Sequence, residues 1–324
     1  MHTTQELLEK INQHISKQEY GSNPANLYEP INYIMGLGGK RLRPLLVLLS
    51  YQLKGESLDE ILDAALAVEV FHNFTLVHDD IMDEAPLRRG QPTVHTKWND
   101  TVAILSGDTM MIKAYELLQK GSGDYFMGVC PKFNQTSVEV CEGQQIDMNF
   151  EEQEIVTEEE YLEMIRLKTA VLLGFSMYLG GKLAGYDQQS SEKLFSIGEK
   201  MGIGFQLMDD ILDVYADKAK FGKQVGGDII ANKKTYLLLS ALEMANPEQK
   251  AKLDHWLSAR EFDVQEKVAA VTEIYDEIGI PNLAKMKMNY YFDQSIKELE
   301  TFEGNSIAKV LLKEFATKLM QRER

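Results

Sequence analysis

"FTLVHDDIMD", Phe74 to Asp83, sets three carboxylates into one turn of an otherwise apolar segment, and "FQLMDDILD", Phe205 to Asp213, nearly repeats it. Upstream of both, apolar residues recur at three and four positions, the spacing of a helix. On a helix, residues four apart share a face, so Asp79 and Asp83 point one way with Asp80 about 100° round the axis. Asp209, Asp210 and Asp213 follow the same rule. Each like-charge pair costs about 0.2–0.5 kcal/mol on an exposed helix, and carboxylates near a helix C-terminus oppose its dipole. Stability does not motivate the pattern. A solvated acidic face would mix Glu with Asp and alternate with Lys, whereas both clusters are pure Asp set among Phe, Leu, Ile and Met.

The same periodicity extends through most of the chain, as in Ile31, Ile34, Met35 or Leu162, Ile165, Leu172, and alternating β-branched runs are scarce. The sequence therefore predicts an all-α fold of roughly ten or more helices. Breaks are expected at "GSNPANLYEP", "EAPLRRGQPT", "KGSGDY", "FEEQEIVT", "DKAKFGKQVGGD", "NPEQ" and "IGIPNL". Its 8 Pro and 23 Gly are dispersed along the chain and no Ser/Gly-rich linker interrupts it, which predicts one domain over residues 1–324. The segment around the first cluster, "LDEILDAALAVEVFHNFTLVHDD", is apolar on most sides, as a central helix of a bundle should be.

Composition narrows the partners. With 34 Lys+Arg against 50 Asp+Glu the net charge is -16, which disfavours nonspecific attraction to nucleic acid or an anionic membrane. An anionic ligand must then be met by local basic clusters or by metal ions. No uninterrupted apolar stretch is long enough to span a membrane, and the start resembles no signal peptide, so a soluble cytoplasmic chain is expected. The 2 cysteines, Cys130 and Cys141, are too few for a disulfide framework and lack zinc spacing.

Short carboxylates converging from two helices suit a hard, oxygen-seeking cation. Mg2+ typically keeps several waters and takes one or two carboxylates plus phosphate oxygens from a substrate. The calcium-loop signature is absent, and six aspartates exceed what general acid and base work requires. The pattern points to several Mg2+ ions bridging a phosphorylated ligand. Cations to meet the remaining phosphate charge stand close by: Lys40 and Arg43 in "GGKRLRP" at a helix start, and Arg88 and Arg89 in "PLRRGQPT" after the first cluster. Further candidates are Lys168 in "RLKTA", Lys223, and Lys233 and Lys234 in "NKKT". The glycine patterns "GFSMYLGGKL" and "GIGFQL" match neither a Walker loop nor a dinucleotide fingerprint, and no HExxH or nucleophile motif occurs.

Taken in order, "GGKRLRP", "FHNFTLVHDDIMD", "RRG", "KTA", "FQLMDDILD" and "GKQVGGDIIANKKT" resemble the trans-type isoprenyl diphosphate synthases, the polyprenyl synthetases. The resemblance runs from about residue 33 to 240, and its two DDxxD motifs are its most specific part. It implies a single-domain all-α bundle around a deep apolar cavity, a homodimer, and a Mg2+-dependent prenyltransferase that joins isopentenyl diphosphate to an allylic diphosphate. It also implies three Mg2+ ions shared with the substrate diphosphate. By motif, Asp79, Asp83 and Asp209 hold those ions, with Asp80, Asp210 and Asp213 in support. Arg88, Lys168 and Lys223 serve the allylic diphosphate, and Lys233 lies close by as a further substrate-binding candidate. Lys40, Arg43, His72 and Arg89 serve isopentenyl diphosphate, while Thr169 and Gln206 face the carbocation.

In this family the bulk just before the first motif largely sets chain length. Phe74 and Phe71 there imply a short product, C20 favoured and C15 next, the first motif lacking the two-residue insertion of bacterial farnesyl synthases. An ideal helix nevertheless turns Phe74 nearly opposite Asp79 and brings Thr75 nearer its face, so either the helix is distorted or the pocket wraps around it. The alternatives are a longer-chain synthase and a noncatalytic partner subunit. A terpene cyclase would carry a different second motif in place of "DDILD".

Overall fold

A computed structural model of the chain describes residues 1–55, 57–58, 60–120, 125–216 and 226–321. The described residues are helical almost throughout, and they form two compact groups. The first comprises Met1–Phe133, Phe175–Phe195 and Phe302–Leu312; the second comprises Asn134–Gly174, Ser196–Thr301 and Lys313–Arg324.

In the first group α1 (Thr4–Lys17) opens with a capping box between Thr3 and Glu6, and α2 (Ala25–Gly36) and α3 (Leu42–Tyr51) follow. The chain then enters α4 (Leu62–Met82), whose Ala- and Leu-rich start favours a helix and whose residues Ala64 to Phe71 are all buried. Its main partner is α6 (Asp100–Gln119), reached through a short α5 (Val94–Lys97) and capped by the Asn99 side chain. Gly107 of α6 permits the close approach, since a Cβ there would lie 2.4 Å from the His78 imidazole. An aromatic cluster fills the interior. The Phe133 ring lies 5.2 Å from Phe71, 5.2 Å from Phe175 and 4.9 Å from Tyr115, centroid to centroid.

Where the sequence predicts a loop at "EAPLRRGQPT", the chain forms a minimal hairpin pairing β1 (Leu87–Arg88) with β2 (Gln91–Pro92). The turn residues Arg89 and Gly90 both take positive φ, 53° and 76°, as a type I′ turn requires. Thr93 pins the base of the hairpin by donating from Oγ1 to the Ala85 carbonyl at 2.8 Å, and the Tyr33 hydroxyl donates to the Pro92 carbonyl at 2.7 Å.

Three long helices, α7 (Tyr125–Glu152), α9 (Val171–Leu183) and α10 (Gln188–Tyr215), contribute to both groups. The second group also contains α8 (Glu158–Ile165), capped by a Thr157–Glu160 box, which runs through a π turn (Arg166–Ala170) into α9. Glycines let the backbones meet there. A Cβ on Gly143 of α7 would lie 2.2 Å from the Lys168 amide nitrogen, and one on Gly202 of α10 would lie 2.5 Å from the Ala170 Cα. Gly143→Ala must therefore displace backbone and is expected to cost about 1–3 kcal/mol, readable as a lower thermal midpoint together with reduced turnover. Beyond α10 come α11 (Gly227–Ile230), α12 (Tyr236–Met244), α13 (Pro247–Ser258), α14 (Val264–Ile278) and α15 (Ile280–Thr301). The chain ends in α16 (Ser306–Met320). Both cysteines are free thiols.

Candidate active site

In the first group the acidic cluster closes α4. Asp79 lies in its last turn, half-buried, and Asp83 is the exposed C-cap residue whose N–H donates to the Asp79 carbonyl at 2.9 Å. Asp80, on the inner side, is 1% exposed. Arg88 grips it bidentately, Nε to Oδ2 at 2.8 Å and Nη2 to Oδ1 at 2.7 Å. Burial raises the Asp80 carboxyl above its usual range while the Arg88 bonds oppose that rise. Asp80 is thus occupied by a protein partner, and the outward face of the cluster belongs to Asp79 and Asp83.

A basic region adjoins it. His72 lies one turn beyond Thr75 on the Asp79 face of α4, and its imidazole is held well below its ordinary pKa, first by burial and then by Arg43, Arg88, Arg89 and Arg41. Among the four guanidinium groups Arg88 is matched by Asp80 and Arg41 by Glu69, and the remaining excess of cations suits an anion. Of these, Arg89 donates to the Gly38 carbonyl and leans over Gly39, where a Cβ would come within 2.9 Å of its guanidinium. Gly39 has φ of 133°, a conformation L side chains avoid. Lys40 is exposed and Arg43 is half-buried at the start of α3.

The anchor of this loop is Arg41, which sequence reasoning passed over. Its Nη1 donates to Glu69 Oε1 at 2.6 Å with both side chains 3% exposed, and its Nη2 donates to the Met35 carbonyl at 2.8 Å. The signal was a lone Glu inside the apolar run "LDAALAVEVFHNF", because a buried carboxylate requires a partner.

In the second group five of the predicted residues, Lys168, Thr169, Gln206, Asp210 and Lys233, line one solvent-open cleft together with Asp147 and Asp228. Asp210 is 4% exposed and, like Asp80, is engaged from within. Tyr161 donates its hydroxyl to Oδ2, and Gln206 donates from Nε2 to Oδ1 at 3.0 Å. Thr169 Oγ1 donates in turn to Gln206 Oε1 at 3.1 Å. The Asp210 carboxyl is pushed well above the usual range, chiefly by burial and then by the Asp228 charge. Asp209 and Asp213 are half-buried on the other face, and Asp213 Oδ2 accepts the Asp228 N–H at 2.9 Å. Lys168 is ion-paired with Asp147 across 2.5 Å. Lys234 caps the end of α7 by donating to the Phe150 and Gln153 carbonyls, a structural duty. Asp147 and Tyr161 have no local sequence signature, and Lys223 lies outside the described residues.

The model for polyprenyl synthetase matches residues 24–277. This chain belongs to the polyprenyl synthetase family. Among polyprenyl synthetases it is 38% identical to a geranylgeranyl pyrophosphate synthase of Geoglobus acetivorans over 317 residues, 97% of this chain and 95% of that one. It is 39% identical to a geranylfarnesyl diphosphate synthase of Natronomonas pharaonis over 252 residues, 72% of this chain and 74% of that one. A crystal structure of a geranylgeranyl pyrophosphate synthase superposes with a TM-score of 0.95 at 41% identity, covering 100% of both chains. The family match takes in both acidic clusters, the basic loop and the cleft.

The outward aspartates offer hard oxygen donors alone, the chemistry Mg2+ prefers. Among the described residues no three His, Cys, Asp or Glu side chains form a ready ligand set, so an ion held here would complete its shell with water and phosphate oxygens. No helix among the described residues is long and apolar enough to cross a membrane.

Proposed function

We propose that this polyprenyl synthetase is a cytoplasmic, homodimeric, Mg2+-dependent prenyltransferase that joins isopentenyl diphosphate to an allylic diphosphate, giving a short all-trans prenyl diphosphate, C20 favoured and C15 next. The observation that carries the assignment is the cleft in which Lys168, Thr169, Gln206, Asp210 and Lys233 meet. A cation to hold diphosphate and neutral dipoles to face positive carbon stand side by side in it.

On this reading, and as the family resemblance implies, Asp79, Asp83 and Asp209 would hold the Mg2+ ions, three by that resemblance, with Asp213 in support. Mg2+ would supply neutralisation of the charge that collects on the departing diphosphate. Arg88, Lys168, Lys223 and Lys233 bind the same group, and the buried Asp80 and Asp210 orient Arg88 and Gln206. Lys40, Arg43, His72 and Arg89 hold isopentenyl diphosphate, the neutral His72 acting as hydrogen-bond donor rather than charge. As the allylic C1–O bond breaks, the positive carbon is met by Thr169 and Gln206. Thr169 spends its proton on Gln206, leaving the hydroxyl lone pairs for the cation. The isopentenyl double bond then closes a new bond to C1, and the proton lost passes to the released diphosphate. Water must be kept from the cation, which it would quench.

Phe74 and Phe71 would form the floor for the growing tail. α4 runs unbroken from Leu62 to Met82, so no distortion turns Phe74 toward Asp79. At about 100° per residue it stands roughly 140° from that face and Thr75 about 40°. The Phe74 ring packs between Phe71 at 5.5 Å and His78 at 4.9 Å. For Phe74 to be the floor, the pocket would have to wrap around the helix.

The deciding assay incubates the protein with isopentenyl diphosphate, Mg2+ and each of the C5, C10 and C15 allylic diphosphates, followed by chromatography of the dephosphorylated alcohols. A C20 alcohol is expected, and no product from any primer would favour a noncatalytic partner subunit. In the same assay Phe74→Ala is expected to lengthen the product by one or more C5 units; an unchanged profile removes Phe74 as the floor.

A further inference from the structure

We infer that Lys267, a buried lysine on α14, is a positioning residue for Lys233: acting through Asn232, it fixes the segment that presents Lys233 at the cleft and so sets the affinity for the allylic diphosphate. This rests on the role proposed above for Lys233.

Lys267 is 1% exposed. Its Nζ donates to Asn232 Oδ1 at 2.6 Å and to the Ile230 carbonyl at 3.3 Å, and lies 4.2 Å from the centre of the Phe262 ring. Among the described residues its recorded partners are a side-chain amide, a carbonyl and a ring, with no carboxylate. Burying an ammonium without an anion is costly, and carbonyl dipoles and a ring face offset only part of that. Burial accordingly lowers its pKa. A methionine would fill the same volume at lower cost, so packing alone does not account for a lysine.

What the lysine holds is a strained turn. Asn232 has φ of 54°, in the left-handed region, and its side chain is clamped twice: it accepts from Lys267 and donates from Nδ2 to the Leu257 carbonyl at 3.0 Å. The next residue is Lys233, whose N–H donates to the Asp228 carbonyl at 2.9 Å while its own carbonyl accepts the Thr235 N–H at 2.9 Å. At the opposite end Asp213 holds the Asp228 N–H. α14 also abuts the start of the segment, since a Cβ on Gly226 would lie 2.7 Å from Val268 Cγ1. The turn from Gly226 to Thr235 is therefore fixed at one end by the second acidic cluster and at the other by Lys267. Lys233 follows directly on the Asn232 clamp, lining both the cleft and the small adjoining pocket that has Lys267 in its wall.

The test uses two variants that cut one strut from opposite ends: Lys267→Met, and Asn232→Gly, which keeps the left-handed backbone without strain. In each, KM for the allylic diphosphate is expected to rise about tenfold, with KM for isopentenyl diphosphate and kcat within about twofold of wild type. The double variant should be no worse than either single one, because the two residues act as one unit. Calorimetry with Mg2+ and inorganic pyrophosphate should show a parallel, about tenfold loss of affinity. An unchanged allylic KM with a lowered thermal midpoint, an equal rise in both KM values, or additive effects would overturn the inference. Absence of turnover in the wild type would instead sink the proposed activity, and the pyrophosphate titration would still decide the role of Lys267.

Discussion

Asp209→Ala and Asp79→Ala are each expected to lower turnover by on the order of 10^3-fold or more, since each removes a charge aimed at the leaving group. Their thermal midpoints should change little, because each substitution relieves like-charge repulsion worth about 0.2–0.5 kcal/mol per pair, which offsets such pairing as the 3.9 Å contact between Asp79 and Arg88. The middle aspartates should behave differently. Asp80→Ala strips Arg88 of its bidentate acceptor, and Asp210→Ala leaves the Tyr161 hydroxyl and Gln206 amide without their partner, so both should lose stability as well as activity. Turnover at saturating Mg2+, read beside a thermal melt, separates the two classes. Near-normal turnover in Asp79→Ala or Asp209→Ala would contradict the assignment of these residues to metal.

Glu69→Ala should produce the largest loss of stability. It leaves the Arg41 guanidinium buried without its anion, a change worth about 3–5 kcal/mol where one member of a buried pair is removed. The Asn73 amide, which donates to the Glu69 carboxylate at 3.4 Å, loses that partner too. Replacing both Glu69 and Arg41 with methionine should restore much of the stability, since the volume is refilled without charge. It should not restore function. The loop from Gly38 to Arg43 would lose the guanidinium that ties it to the Met35 carbonyl, and KM for isopentenyl diphosphate is expected to stay raised. A melt combined with KM for that substrate checks both halves; a double variant with normal KM would show that Arg41 matters for stability alone.

These expectations draw unequally on sequence and structure. The helical character and the breaks at "GSNPANLYEP", "FEEQEIVT", "NPEQ" and "IGIPNL" were legible because apolar spacing and Pro- or Gly-bearing turns are local signals, while the breaks at "KGSGDY" and "DKAKFGKQVGGD" lie largely outside the described residues. The offset of Asp80 from Asp79 follows from about 100° of rotation per residue, but that it turns Asp80 and Asp210 inward shows only in the structure. The cleft residues could be named from their motifs, yet nothing local tells that Asp147 meets Lys168 or that Tyr161 meets Asp210, since such contacts depend on which helices pack together. The pairing of Arg41 with Glu69 spans 28 positions and was invisible for the same reason. The type I′ turn was hidden because its first position is Arg89, where Asn or Asp would have announced it. C-terminal helices that read only as packing turned out to carry Lys267.

The π turn at Arg166–Ala170 amounts to one surplus residue threaded into a continuous rod from Glu158 to Leu183. Such an insertion shifts the phase of everything on one side of it by about 100°. Tyr161 is buried upstream of it, and downstream every residue from Val171 to Gly181 is buried. Lys168 and Thr169 lie in the irregular turn itself, and both line one cleft.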